Sequence, residues 1–127
     1  MIEKLLLVAA GGAIGAVLRF LSVGSIGRAV GEIAVGTLLV NVMGSFLMGL
    51  CAVLMLEKTP EAISRLAPFL MTGLFGGFTT FSAFSLDAFR FYEDGRLVAA
   101  AGYVGGSVVL SILALIAGIA LARVFWV

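Results

Sequence analysis

Gly73-Leu74-Phe75-Gly76-Gly77-Phe78-Thr79-Thr80-Phe81-Ser82-Ala83-Phe84-Ser85 lies within a run, Leu66 to Leu86, that holds no charged residue. As a helix the run is long enough to cross a ~30 Å hydrocarbon core. Its middle is nevertheless rich in glycine and hydroxyl residues, which weaken helix continuity. Non-helical backbone at membrane depth persists only where protein or a water-filled cavity satisfies its amides and carbonyls. The stretch therefore predicts a membrane span broken near its centre, and the break is where a solute or ion site is to be sought.

The flanking sequence is as apolar. Uncharged or nearly uncharged runs extend from Leu5 to Gly27, interrupted by Arg19, from Ile33 to Leu56 and from Leu97 to Ala122. With Leu66–Leu86 they predict an all-α, polytopic membrane protein of four spans, the third one broken, forming one domain over residues 1–127 in the lipid bilayer. The 127 residues are 62% hydrophobic and 12% charged, and the mean hydropathy of +1.24 exceeds what a soluble domain carries. The connecting segments, Arg28 to Glu32, Glu57 to Arg65 and Asp87 to Arg96, are too short to add a soluble catalytic module, so no enzyme activity is expected. Met1 to Ala16 has the outline of a signal peptide, but Glu3 offsets Lys4 and the apolar run continues past Arg19. The first span is therefore expected to remain in the mature protein. Cys51 reads as a small packing residue, and the absence of histidine from the sequence removes the usual metal ligand and proton carrier.

Four spans put Lys4, Lys58, Arg65 and Arg123 on one side of the membrane and Arg28, Arg90 and Arg96 on the other, with Arg19 joining the latter if it snorkels. Orientation follows an excess of Lys and Arg in short cytoplasmic loops, and this chain offers almost none. The balance predicts insertion both ways up.

Few residues in the spans carry chemistry. Arg19, late in the first span, reads either as a snorkelling anchor or as a vestibule residue that concentrates anions. Asp87 reads as a helix-end residue or an embedded charge. Thr37, Asn41 and Ser45 recur at four-residue spacing, as do Tyr103, Ser107 and Ser111, so each trio shares a helical face. Each serves either as interhelical hydrogen bonding or as a pore lining of donors without fixed charge. Gly11-xxx-Gly15 and Gly12-xxx-Ala16 read as close-packing faces. Phe75 and Phe78 read as lipid-facing aromatics. Phe81 and Phe84 differ, because they follow the glycines and stand among serines; an edge-on ring presents positive potential to an anion while staying apolar.

Gly12-Ala-Ile-Gly15-Ala16-Val-Leu-Arg19, Gly36-Thr37-Leu-Leu-Val-Asn41-Val-Met-Gly44-Ser45-Phe46 and Gly76-Gly77-Phe78-Thr79-Thr80-Phe81-Ser82-Ala83-Phe84-Ser85 together resemble the Fluc (CrcB) family of fluoride channels, over essentially the whole chain. The resemblance implies an antiparallel, dual-topology homodimer in the cell (inner) membrane, with two fluoride pathways built from both subunits. It implies that Phe81 and Phe84 form an aromatic box, that Asn41 is a polar pore group, and that Tyr103, Ser107 and Ser111 form a polar track. It places Arg19 at the vestibule. It also implies a structural sodium ion at the dimer interface, held by backbone carbonyls of Gly76 and Thr79; carbonyl oxygens suit a hard cation. Ala83 replaces a threonine common in that motif, Phe20 a tyrosine and Asp87 a glutamate.

The function expected is passive, fluoride-selective export giving fluoride resistance, with no nucleic-acid partner. The alternative is a small multidrug-type proton-coupled antiporter, which needs a membrane-embedded carboxylate. An assembly protein without transport is a third reading, resting on the glycine packing faces alone.

Overall fold

Left-handed glycines punctuate the chain. Gly31, at φ 85°, returns its N–H to Gly27 O and ends α1 (Ile2–Val30); Gly95, at φ 73°, follows the helix that ends at Glu93. Both occupy a conformation that side-chain-bearing residues rarely adopt. The computed structural model describes residues 1–57 and 60–126; Lys58, counted above among the loop charges, lies outside the described residues. After α1 come α2 (Ile33–Leu56) and a one-turn α3 (Glu61–Ser64). The third span then runs as a π-helical segment (Pro68–Phe75), α4 (Gly76–Phe78), two extended residues and α5 (Phe81–Glu93). A long α6 (Leu97–Trp126) completes the bundle. Among the described residues, four helical stretches are long and apolar enough to cross a membrane: Ile2–Val30, Ile33–Leu56, Glu61–Glu93 and Leu97–Trp126.

The helices outrun the apolar runs that predict them. Arg28 and Arg90 stand in the last turns of α1 and α5, and Asp87 stands in the middle of α5, so charges expected in connections belong to helices. The break also falls later than the glycines. Gly76 and Gly77 remain helical, and it is Thr79 and Thr80 that are extended, with φ/ψ of −85°/158° and −151°/121°. β-branched residues fit that backbone well.

Two glycine seams hold the bundle. On α1, Gly11 lies against Phe69 O and Gly15 against Leu74 O, so an added β-carbon at either would fall onto the third span's backbone; Gly77 meets Gly12 O in return. Between α2 and α6 the device is reciprocal, Gly49 facing Leu115 O and Gly118 facing Phe46 O. Small residues let transmembrane backbones approach where no hydrophobic force drives them together. Phe78 is buried, packed by the bare face of Gly44, which corrects the lipid-facing reading of this residue. At opposite ends of α2, Glu32 pairs with Arg96 at 3.1 Å and Glu57 with Arg123 at 2.6 Å, tying α2 to α6 on both membrane sides. Both pairs are solvent-accessible, so they add little to stability and serve mainly to fix register.

Candidate functional site

The interruption of the third span is built by side chains. Asn41 of α2 reaches across to Thr80: its Nδ2 donates to Thr80 O at 2.9 Å, and Thr80 N–H donates to Asn41 Oδ1 at 2.7 Å. One amide thus satisfies both backbone groups of an extended residue at membrane depth, which the bilayer cannot do. Thr80 Oγ1 then accepts the N–H of Ala83 at 3.1 Å, capping α5. Thr79 Oγ1 donates back to Phe75 O at 2.9 Å.

In an unbroken helix the N–H of Thr80 would bond Gly76 O, and that of Ala83 would bond Thr79 O. Both donors are spent elsewhere. The carbonyls of Gly76 and Thr79 therefore lack their helical partners beside a cleft that both residues line. Among the described residues no cluster of three His, Cys, Asp or Glu is placed to hold a metal. Hard carbonyl oxygens are instead the donors on offer, and they fit a hard cation such as sodium.

The cleft has a volume of about 430 Å³ and is lined by Asn41 and Ser45 of α2, by the break, by Phe81 and Phe84 of α5, and by Ser107 and Ser111 of α6. Phe84 is buried and stands 5.4 Å, centroid to centroid, from both Phe81 and Tyr103. Phe81 is 78% exposed and projects from the bundle. Ser107 is 5% exposed, and its Oγ has no hydrogen-bond partner among the described residues. A buried hydroxyl left unpaired is costly unless something else occupies its bonding directions. Ser85 Oγ, by contrast, is spent on Phe81 O at 2.9 Å.

The expected site residues thus separate into groups. Asn41, Phe81, Phe84, Ser107, Ser111, Gly76 and Thr79 meet around one cleft. Tyr103 stands at its edge, against Phe84, and its hydroxyl donates to Asp87 Oδ2 at 3.2 Å, with Thr37 as a further hydroxyl neighbour. Asp87 is buried within α5, which corrects the helix-end reading in favour of the embedded one. Arg19 is half-exposed on α1, away from the lining of this cleft, and makes no ion pair among the described residues. Thr80 is a further residue of the site, and the signal it leaves in the sequence is a hydroxyl at an N-cap position directly before the apolar run that forms α5.

Residues 6–119 match the family model described as CrcB-like protein, Camphor Resistance (CrcB). The chain belongs to the CrcB family. Curated CrcB relatives include the "Fluoride-specific ion channel FluC" of Cereibacter sphaeroides, 55% identical over 97% of both chains. Proteins of the same name from Paracoccus denitrificans and Rhizobium meliloti are 46% and 48% identical, over 97% and 95% of this chain and 97% of each relative. This CrcB chain matches those relatives over at least 95% of its length, with the helix break and its cleft inside the region the family model matches.

Proposed function

We propose that this chain forms a fluoride-selective channel that exports cytoplasmic fluoride passively down its electrochemical gradient and so gives fluoride resistance. The observation that carries the reading is the cleft at the helix break, where an unpaired Ser107 hydroxyl, Ser111 and two phenylalanine rings surround a space bearing no formal charge. Full-length similarity to relatives named as fluoride-specific channels supports the same substrate.

The chemistry suits a small, strongly hydrated anion. Hydroxyl donors replace part of its water shell, and ring edges add positive potential without offering a fixed cation that would trap it. Phe84 is held by its neighbours, whereas Phe81 stands free to meet an ion or a second chain. Fluoride enters cells from acidic surroundings as the neutral acid, ionises in the more neutral cytoplasm and is driven out by the negative-inside potential, so no coupling residue is required.

The cleft is open on the side of one bundle, and its polar groups would face hydrocarbon at a cost of several kcal/mol if left uncovered. An inverted second copy is the cover we propose: an antiparallel, dual-topology homodimer in the cell (inner) membrane, with two pathways that each use both subunits, and with Arg19 at the vestibule. The near balance of Lys and Arg between the two membrane sides supports dual insertion. The carbonyls of Gly76 and Thr79 would hold a sodium ion between the subunits, supplying positive charge that lets facing carbonyls approach.

A proton-coupled antiporter would need a carboxylate free to exchange protons for cations, and the buried Asp87 is engaged by Tyr103. Purified protein in liposomes separates the two. Fluoride efflux without a proton gradient is the expected result; organic-cation uptake that requires a gradient, with no fluoride efflux, would transfer the chain to the antiporter reading.

A further inference from the structure

Asn41 and Thr80 act on the helix break as a pair, and each removes one donor from a different carbonyl. Asn41 Oδ1 takes the Thr80 N–H that would otherwise close a turn on Gly76 O. Thr80 Oγ1 takes the Ala83 N–H that would otherwise close a turn on Thr79 O. These are the same two carbonyls read above as sodium ligands, and an unpaired carbonyl at this depth is costly by itself. Asn41 also donates to Thr80 O at 2.9 Å, so the reciprocal bond fixes the extended backbone at Thr80.

We infer that Asn41 and Thr80 are positioning residues for the cation: they undress the Gly76 and Thr79 carbonyls and thereby set the affinity of the break for sodium. The inference rests on the reading of those carbonyls as a sodium site and adds which side chains create it. Asn41 then serves two purposes in one cleft, since Thr80 uses one of its N–H groups and part of its carbonyl capacity and leaves the rest facing the pathway. The two residues act through one extended backbone. Without Asn41 that backbone is free to return to helix and the Thr80 N–H to close on Gly76 O, and without the Thr80 hydroxyl the Ala83 N–H is no longer drawn away from Thr79 O, so each substitution favours re-dressing a ligand.

The test is the sodium dependence of thermal stability, read by helical circular dichroism on the purified full chain, with sodium replaced by N-methylglucamine at constant ionic strength. Wild type should be stabilised by sodium with a saturable midpoint. Asn41→Ala and Thr80→Val should each raise that midpoint about tenfold, because an intrahelical bond competes with the cation for the carbonyl. Thr80→Ser, which keeps the hydroxyl, should keep the wild-type midpoint. If Asn41→Ala does not fold, the Thr80→Val and Thr80→Ser pair decides. Unchanged midpoints in the folded Ala and Val variants, with a sodium-dependent wild type, overturn the positioning role and leave the sodium site standing. A wild type indifferent to sodium overturns both.

Discussion

Ser107 buries a hydroxyl that no other described residue hydrogen-bonds, on the wall of the cleft that Asn41 also lines. Removing that oxygen relieves an unsatisfied polar atom, so Ser107→Ala should leave thermal stability unchanged or raise it by up to about 1 kcal/mol while lowering fluoride flux. A structural hydroxyl would behave oppositely, losing stability with flux intact, and a melt beside a flux assay distinguishes the two. Much of this site was legible at the level of residues: the four-residue spacings brought Asn41, Ser45, Ser107 and Ser111 to one cleft. Asn41's bonds to Thr80 were not legible, because side-chain-to-backbone pairing between separate helices leaves no periodic trace. Nor was the choice between the two readings of Asp87, helix-end or embedded, because its burial is set by packing that includes Tyr103 sixteen positions along the chain.

At the scale of elements, the spans could be read from apolar runs, yet their packing could not be read from glycine count. Gly11 and Gly15 are filled by the third span's backbone, whereas nothing lies within 4 Å of a β-carbon placed on Gly12, although both xGxxxG-type pairs looked alike in the sequence. The rotational setting of α1 against the π-helical segment decides which face is used, and that segment has no sequence signature beyond Pro68 at its start. Gly15→Ala and Gly49→Ala should each cost about 1–3 kcal/mol, since the new methyl meets a carbonyl oxygen of a neighbouring helix rather than a flexible side chain. Thermal melts in detergent would measure this. The every-third phenylalanines mislead for a related reason: the passage from π-helix to α4 to extended residues turns Phe78 inward and Phe81 outward, which no single period describes.

For the whole molecule, the near-balanced charges carry a prediction about insertion. Adding three lysines to the Glu57–Arg65 connection should hold that side in the cytoplasm. Such a chain should lose fluoride resistance when expressed alone and regain it with a partner carrying extra lysines between Arg90 and Arg96. Reporters at the C-terminus, active on one membrane side only, would check the orientation; full resistance from the oriented chain alone would exclude an antiparallel assembly. The proposed pathway for fluoride is the cleft where the third span breaks. Its most direct test is fluoride-electrode efflux from liposomes holding purified wild type, Phe81→Ile or Phe84→Ile, with dimer content measured on the same samples. Isoleucine keeps apolar bulk and loses the polarised ring edge. Rapid efflux through wild type and at least about a hundredfold less through each variant, about 2.7 kcal/mol on the barrier, is the predicted result; wild-type rates from both variants, in intact dimers, would contradict it.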